Sequence, residues 1–404
     1  MRERVQFLFN RNTTAYRWVI LIVSTISQAS ASFASQGIGI LSGFLQESLK
    51  LNALEVGLLI TASGAAAIPG LLVVGNLLDR QSERHIIGLG AFVIALGMVG
   101  AAYASNFHVL LAGLFVMGIG YSTAQPGGSK AISSWFPKNQ RGLAMGIRQA
   151  GLPLGGAVAA GILPMITARF DWRAAFVVSA VVALGGGVLF ACFYKSPPAS
   201  VASPAARPPT TLSYLVAMLR QPYMRRIMWS GASLVMAQYG ILIFMVIYFK
   251  ESLGLSLQYG TVLLLSCQVS GACGRVFLAG WSDHSRAGRL LPIITSMGAV
   301  IAGFVVLLFL PTNTPYPVLL LIAVWLGFFG FGWYGPWVAY VSESAPPDRV
   351  GLAIGTAMAV NQISIIGTPP LLGLLCDASG TYAAPWALLI VCLGASLLIC
   401  LRKT

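Results

Sequence analysis

The chain has 404 residues, of which 57% are hydrophobic and only 9% are Asp, Glu, Lys or Arg. A soluble globular chain carries roughly 25% charged residues, so a water-soluble domain is excluded. Lys and Arg number 25 against 11 Asp and Glu, a formal charge of +14. In a lipid-embedded chain that surplus reports membrane sidedness, and no nucleic-acid partner is expected.

In chain order, the start from Met1 to Arg17 is basic and amphipathic, without a short apolar core and small-residue cleavage site. It predicts a cytosolic tail and not a signal peptide. About 20 apolar residues cross a bilayer, and by that measure twelve spans follow. In the first half they are 18–44, 54–78, 86–104, 108–135, 142–167 and 173–194. In the second half they are 227–249, 258–281, 290–310, 317–341, 351–376 and 383–401. Between the halves lies a Pro/Ala/Ser run, Ser196 to Pro209, that cannot bury a core. The expected organisation is therefore a six-helix half at 1–194, a cytosolic linker at 195–226 and a second half at 227–404. A short helical patch, Leu212–Arg220, is expected on the membrane surface.

With both termini inside, 18 Lys and Arg fall in cytosolic segments and four (Lys50, Arg169, Arg173, Lys250) on the other side. That bias sets the orientation. The six cysteines contain no CxxC and suggest no disulfide framework. No nucleophile with a base, no metal cluster and no cofactor motif is visible, so neither an enzyme nor a bound cofactor or metal is expected.

The halves repeat. Phe44-Leu-Gln-Glu-Ser-Leu-Lys-Leu51 ends the first span and Tyr248-Phe-Lys-Glu-Ser-Leu-Gly-Leu255 the seventh, with Glu47 and Glu251 offset by 204. Asp79 and Asp283, closing the second and eighth spans, share that offset. Arg141-Gly-Leu-Ala-Met-Gly146 and Val350-Gly-Leu-Ala-Ile-Gly355 open the fifth and eleventh, offset by 209. Two repeated halves suit a transporter with its substrate site near the midplane. Gly142, Gly146, Gly151 and Gly155 are spaced for close helix contact, and Pro69, Pro126, Pro153, Pro336, Pro369 and Pro370 for helix bending.

Three cations lie inside spans. Arg275 stands about 12 Å before the cytosolic end of the eighth, and Lys130 and Arg148 each lie about 10 Å deep. Every Asp, Glu and His falls at a span end or in a loop. A mid-membrane charge costs about 2.5–3.5 kcal/mol even on the lenient insertion scale, so the compensating anion is expected from solution. Arg275 is the first candidate ligand, its alternative being a structural arginine hydrogen-bonded to helix carbonyls, with Arg148 and Lys130 beside it. For Arg148 and Lys130 the alternatives are snorkelling to the cytosol or pairing with Glu343 or Asp348 in a closed gate. Mid-span Gln28, Gln36, Tyr121, Gln125, Gln238, Tyr239, Trp333, Trp337 and Asn361 are candidates for the cavity wall. The alternative for each is plain helix packing.

Gly75-Asn-Leu-Leu-Asp79-Arg80-Gln-Ser-Glu-Arg84 resembles the G-x-x-x-D-R-x-x-x-R loop signature of the major facilitator superfamily. A second copy carries His284 in place of the first arginine. The run from Gly118 to Gly156, through Pro126, Trp135, Arg141 and Pro153, is similar to the monocarboxylate and oxalate/formate porters. The resemblance implies an all-α membrane protein of twelve transmembrane helices in two pseudo-symmetric six-helix halves. It also implies secondary transport of small organic anions by alternating access, with proton coupling or anion exchange. Asp79, Arg80, Arg84 and Asp283 then form gating ion pairs, the alternative being solvated loop charges that obey the positive-inside rule, and Arg275 matches the family's substrate arginine. Gly271 stands where monocarboxylate porters often carry an acid, and Asn361 and Gln362 where oxalate exchangers carry a lysine. These departures point away from oxalate and from a carboxylate proton relay. The expected setting is the inner (plasma) membrane with both termini cytoplasmic, and a monomer as working unit. The alternatives are a nitrate- or cyanate-type porter, a drug exporter and a non-transporting sensor.

Overall fold

The computed structural model describes residues 15–197, 216, 218–286 and 288–402. The basic start of the chain, most of the Pro/Ala/Ser linker and most of the Leu212–Arg220 patch lie outside the described residues. Among the described residues the first half forms α1 (Tyr16–Leu49), α2 (Ala53–Leu78), α3 (Glu83–Ala102), α4 (Phe107–Tyr121), α5 (Ala124–Trp135), α6 (Lys138–Arg169) and α7 (Trp172–Phe193). The second half forms α8 (Pro222–Glu251), α9 (Leu257–His284), α10 (Leu290–Leu308), α11 (Tyr316–Gly332), α12 (Tyr334–Ser344), α13 (Val350–Ser379) and α14 (Ala383–Leu401). Twelve spans are long and apolar enough to cross a membrane, with α4–α5 and α11–α12 each making one. The chain is an all-α membrane protein with six spans in each half. Several helices run past the apolar stretches that announced them, α1, α6 and α8 most of all. Hydropathy marks the hydrocarbon, whereas helical hydrogen bonding continues into the interface.

The helix ends follow from local chemistry. Asn52 and Glu55 form a reciprocal capping box at the start of α2, with both hydrogen bonds at 2.9 Å. Asn106 caps α4 through Val109 N–H at 3.0 Å. Two of the mid-span prolines mark interruptions. Pro126 and Pro336 have no N–H for the carbonyls of Ser122 and Gly332, and the chain breaks there into α4–α5 and α11–α12. Ser122 and Thr123 return their hydroxyls to Ile119 O and Gly120 O at 2.6 and 2.8 Å, satisfying carbonyls at that break. Pro69, Pro153, Pro369 and Pro370 lie inside continuous helices.

Helix neighbours repeat between the halves. α1 and α3 pack on α7, and α2 on α4; correspondingly α8 and α10 pack on α14, and α9 on α11. The contacts divide the chain into two units. The first comprises Met1–Pro137, Ile147–Pro209 and Ala345–Ala359; the second comprises Lys138–Gly146, Thr210–Ser344 and Val360–Thr404. The start of α13 is thus packed in the first unit and the start of α6 in the second. The first unit's core runs through Leu41, Met98, Leu114, Met117, Leu163 and Phe176. In the second, Phe304 stacks on Trp386 with ring centroids 5.2 Å apart.

Close helix approach depends on α6 glycines. A Cβ on Gly155 would stand 2.1 Å from Ala29 O of α1, whereas one on Gly161 would meet nothing within 4 Å. We predict that Gly155→Ala costs about 1–3 kcal/mol through overpacking, while Gly161→Ala leaves stability unchanged. Thermal unfolding of the two purified variants in detergent checks the contrast.

Candidate substrate site and gate

In the first unit, Arg148 of α6 is fully buried. Its guanidinium does not snorkel. Nη1 donates to Ser129 Oγ at 3.0 Å, and Nη2 donates to Gln28 Oε1 at 2.8 Å, Ala124 O at 2.7 Å and Gln125 O at 3.0 Å. A Cβ on Gly128 would lie 2.3 Å from Arg148 Nε, so this glycine makes room for the guanidinium on α5. These four acceptors are neutral oxygens that solvate the guanidinium. Gln36 lies farther along α1, donating to Ser32 Oγ at 2.6 Å and to Leu152 O of α6 at 2.9 Å. Tyr121 packs against the apolar core at the end of α4.

Lys130 goes elsewhere. Its ammonium reaches Asp79 at 3.7 Å and Glu83 at 3.6 Å, and donates to Leu78 O. The depth of its backbone suggested a lone cation, or a pair with Glu343 or Asp348. The flexible four-carbon stem instead carries the charge to acids at the facing ends of α2 and α3.

In the second unit, Arg275 of α9 is 4% exposed, and its Nε donates to Phe331 O at 3.2 Å, beside the α11–α12 break. Trp333 and Trp337 flank that break, both fully buried, with ring centroids 5.6 Å apart. Trp333 Nε1 donates to Gln238 Oε1 at 3.3 Å, and Trp337 Nε1 to Ile227 O at 3.0 Å. Tyr239 follows Gln238 on α8 and is half-buried. Asn361 of α13 is 2% exposed and lies beside Trp337 over Gly231. The structure thus gathers Arg148 with Gln125 in one unit, and sets Arg275, Trp333, Trp337 and Asn361 around the α11–α12 region of the other.

The repeated motifs meet at two clamps. Asp79, just past α2, accepts from Gly351 N–H at 2.7 Å and Leu352 N–H at 2.8 Å, capping the start of α13 within the first unit. Asp283, at the end of α9, accepts from Gly142 N–H at 2.8 Å and Leu143 N–H at 2.7 Å, one turn into α6, within the second. Asp79 thereby offers charge-assisted bonds to two orphan N–H groups at the positive end of the α13 dipole, whereas Asp283 meets N–H groups one turn inside α6. Gly75 permits the approach, since a Cβ there would stand 2.8 Å from Gly351 O.

Side-chain ion pairs were expected among Asp79, Arg80, Arg84 and Asp283. Arg80 and Arg84 are instead exposed and take no part in an ion pair among the described residues. The cations that matter are Lys130 and Arg289. Arg289 pairs with Asp283 and forks onto Glu343 at 2.9 and 3.1 Å, while Arg141 reaches Glu343 at 3.5 Å. Burial alone would lower the Arg289 guanidinium, but hydrogen bonds to Glu343 and Asp283 carry it above its usual value. The clamps mirror each other with inverted charge. Glu83 opens α3 and Lys130 lies on α5, whereas Arg289 precedes α10 and Glu343 closes α12. Sequence reasoning missed Ser129, Glu83, Arg141 and Arg289 as partners, took Gln28 only for a cavity wall, and offered Glu343 only to Lys130 or Arg148. The 204 and 209 offsets nevertheless marked both halves of each clamp.

Residues 24–367 match the Major Facilitator Superfamily. The chain belongs to this family. It is 29% identical over 373 residues to an uncharacterised transporter of the same superfamily from Mycobacterium tuberculosis, covering 92% of this chain and 82% of that protein. It is 26% identical to the Cupriavidus necator protein designated "Probable sulfoacetate transporter SauU", over 95% and 92% of the two chains. To the hexuronate transporter of Bacillus subtilis it is 25% identical, over 87% and 86%. The E. coli fucose:proton symporter FucP has the same fold, with a TM-score of 0.74 at 15% identity over 95% of this chain and all of that one.

We predict that Asp79→Ala and Asp283→Ala each destabilise the protein by about 1–3 kcal/mol, the cost of stranding buried N–H groups and a cation. Arg80→Ala stays within about 0.5 kcal/mol of wild type, as an exposed side chain should. Denaturation midpoints of the three purified variants decide this.

Proposed function

We propose that this protein is a secondary transporter of small organic anions, monocarboxylate-like in charge, that works as a monomer by alternating access. The observation that carries the reading is the sign of the mid-span charge. The described acids lie at helix ends, whereas Arg148 and Arg275 are buried well inside their helices. Relatives named for sulfoacetate and hexuronate transport make an organic acid the natural counter-ion.

In this reading Arg275 receives the substrate carboxylate, its fork oriented by the Phe331 carbonyl. Trp333, Trp337, Tyr239 and Asn361 bound the organic part. In the first unit Arg148 sustains a positive potential near Gln125, Tyr121 and Gln36. Lys130 we assign to the gate, because its ammonium is already shared by Asp79 and Glu83. Asp79 and Asp283 act as latches whose release exposes two N–H groups each. Without an acid inside a span to relay protons, a proton would travel on the substrate carboxylate, or one anion would exchange for another. In this reading the protein lies in the inner (plasma) membrane with both termini cytoplasmic, the orientation that the excess of cations in the inner segments favours.

The test is uptake and counterflow in proteoliposomes with mono- and dicarboxylates, nitrate and an organic cation. Saturable organic-anion uptake is expected, falling about tenfold to a hundredfold in Arg275→Gln, as loss of a charged hydrogen bond implies. Saturable uptake of cations alone overturns the reading, and undiminished anion uptake in Arg275→Gln overturns the assigned residue.

A further inference from the structure

Asn361 is the least satisfied polar group in the second unit. It lies eleven residues into α13, about 16 Å from the start of that helix. Its side chain is 2% exposed, and neither Oδ1 nor Nδ2 has a hydrogen-bond partner. The surroundings explain why. A Cβ on Gly231 would stand 2.5 Å from Asn361 Oδ1 and 2.5 Å from Trp337 Cζ2, so the amide lies in a notch that only glycine leaves open. The Trp337 indole N–H is spent on Ile227 O and that of Trp333 on Gln238. α8, α12 and α13 therefore converge on an amide with both a donor and an acceptor to offer.

A buried amide left this way costs about 1–3 kcal/mol on protein scales. The chemistry of the missing partner is restricted. A carboxylate only accepts, and would face Oδ1 with like partial charge. An alkyl chain does neither. A hydroxyl both accepts from Nδ2 and donates to Oδ1. We propose that Asn361 is a hydroxyl-reading subsite and that the transported anion is a hydroxylated carboxylate, of the aldonate or uronate class, in preference to an alkyl monocarboxylate. The proposal rests on the organic-anion reading above. Arg275 takes the acid group and Asn361 selects among acids.

The experiment compares D-gluconate with hexanoate, equal in charge and carbon count, using the full chain in proteoliposomes. Wild type should take up labelled gluconate saturably, with hexanoate competing about tenfold to a hundredfold more weakly. Asn361→Leu should raise the KM for gluconate by a similar factor and leave hexanoate competition unchanged, which also shows that the variant is folded. Gly231→Ala, which crowds the amide while leaving Asn361 in place, should do the same in milder form. If Asn361→Leu discriminates between the acids as wild type does, or wild type prefers hexanoate, the amide holds only water and the proposal fails. The organic-anion reading survives that result. Absence of saturable uptake of both acids by wild type overturns the hydroxyl-reading proposal, whereas the organic-anion reading falls only if no acid of the wider panel is taken up.

Discussion

A carboxylate at the end of one helix, accepting two backbone N–H groups at the start of another, is the interaction on which the arrangement depends. A helix leaves its first N–H groups without partners, and in a chain that is only 9% charged few side chains can supply them. Asp79 meets that need at the start of α13, and Asp283 makes the matching pair of bonds one turn into α6. The consequence reaches beyond two helix ends. Residues 345–359 pack within the first unit and 138–146 within the second because their amides are held there.

The chemistry of the caps also explains the repeat. Glycine one turn before Asp79 lets the backbone of α13 approach, and the glycines at 142 and 351 put small, open N-termini against the carboxylates. That is why the matching pieces of sequence were these and not the intervening apolar runs. Lipid-facing residues need only be apolar, whereas a clamp needs a particular acid, glycine and spacing. The inverted charges of Glu83–Lys130 and Arg289–Glu343 show what is constrained in the second layer. Each Asp requires a nearby cation, and each cation a second acid, but either helix can supply either sign.

Spans, order and helix class were legible from hydropathy, since a helix crossing hydrocarbon must satisfy its own backbone. The breaks at Pro126 and Pro336 were legible as bends, and the absent N–H says where they fall. The endpoints of long side chains were not legible. Lys130 was placed correctly along its helix and its charge was still located elsewhere, because a stem of several rotatable bonds decides which end of the span it serves. Gln28 illustrates the same limit. Its position in α1 suggested a cavity wall, but its partner lies 120 residues away, and only packing brings the two together.

Buried cations in this protein meet two kinds of acceptor. Lys130 and Arg289 are compensated by carboxylates, which cancel their charge and leave little field for anything else. Arg148 donates to amide, hydroxyl and carbonyl oxygens, which lower its self-energy. An ion pair broken during a conformational change costs several kcal/mol, which suits a latch that must open and reclose. A cation held by neutral dipoles keeps its attraction for an anion arriving from water and needs no protein acid to leave first. Selecting the anion by sign and selecting it by shape are then separate tasks. In the proposed reading the first falls to the guanidinium groups and the second to the neutral amides and indoles packed around them.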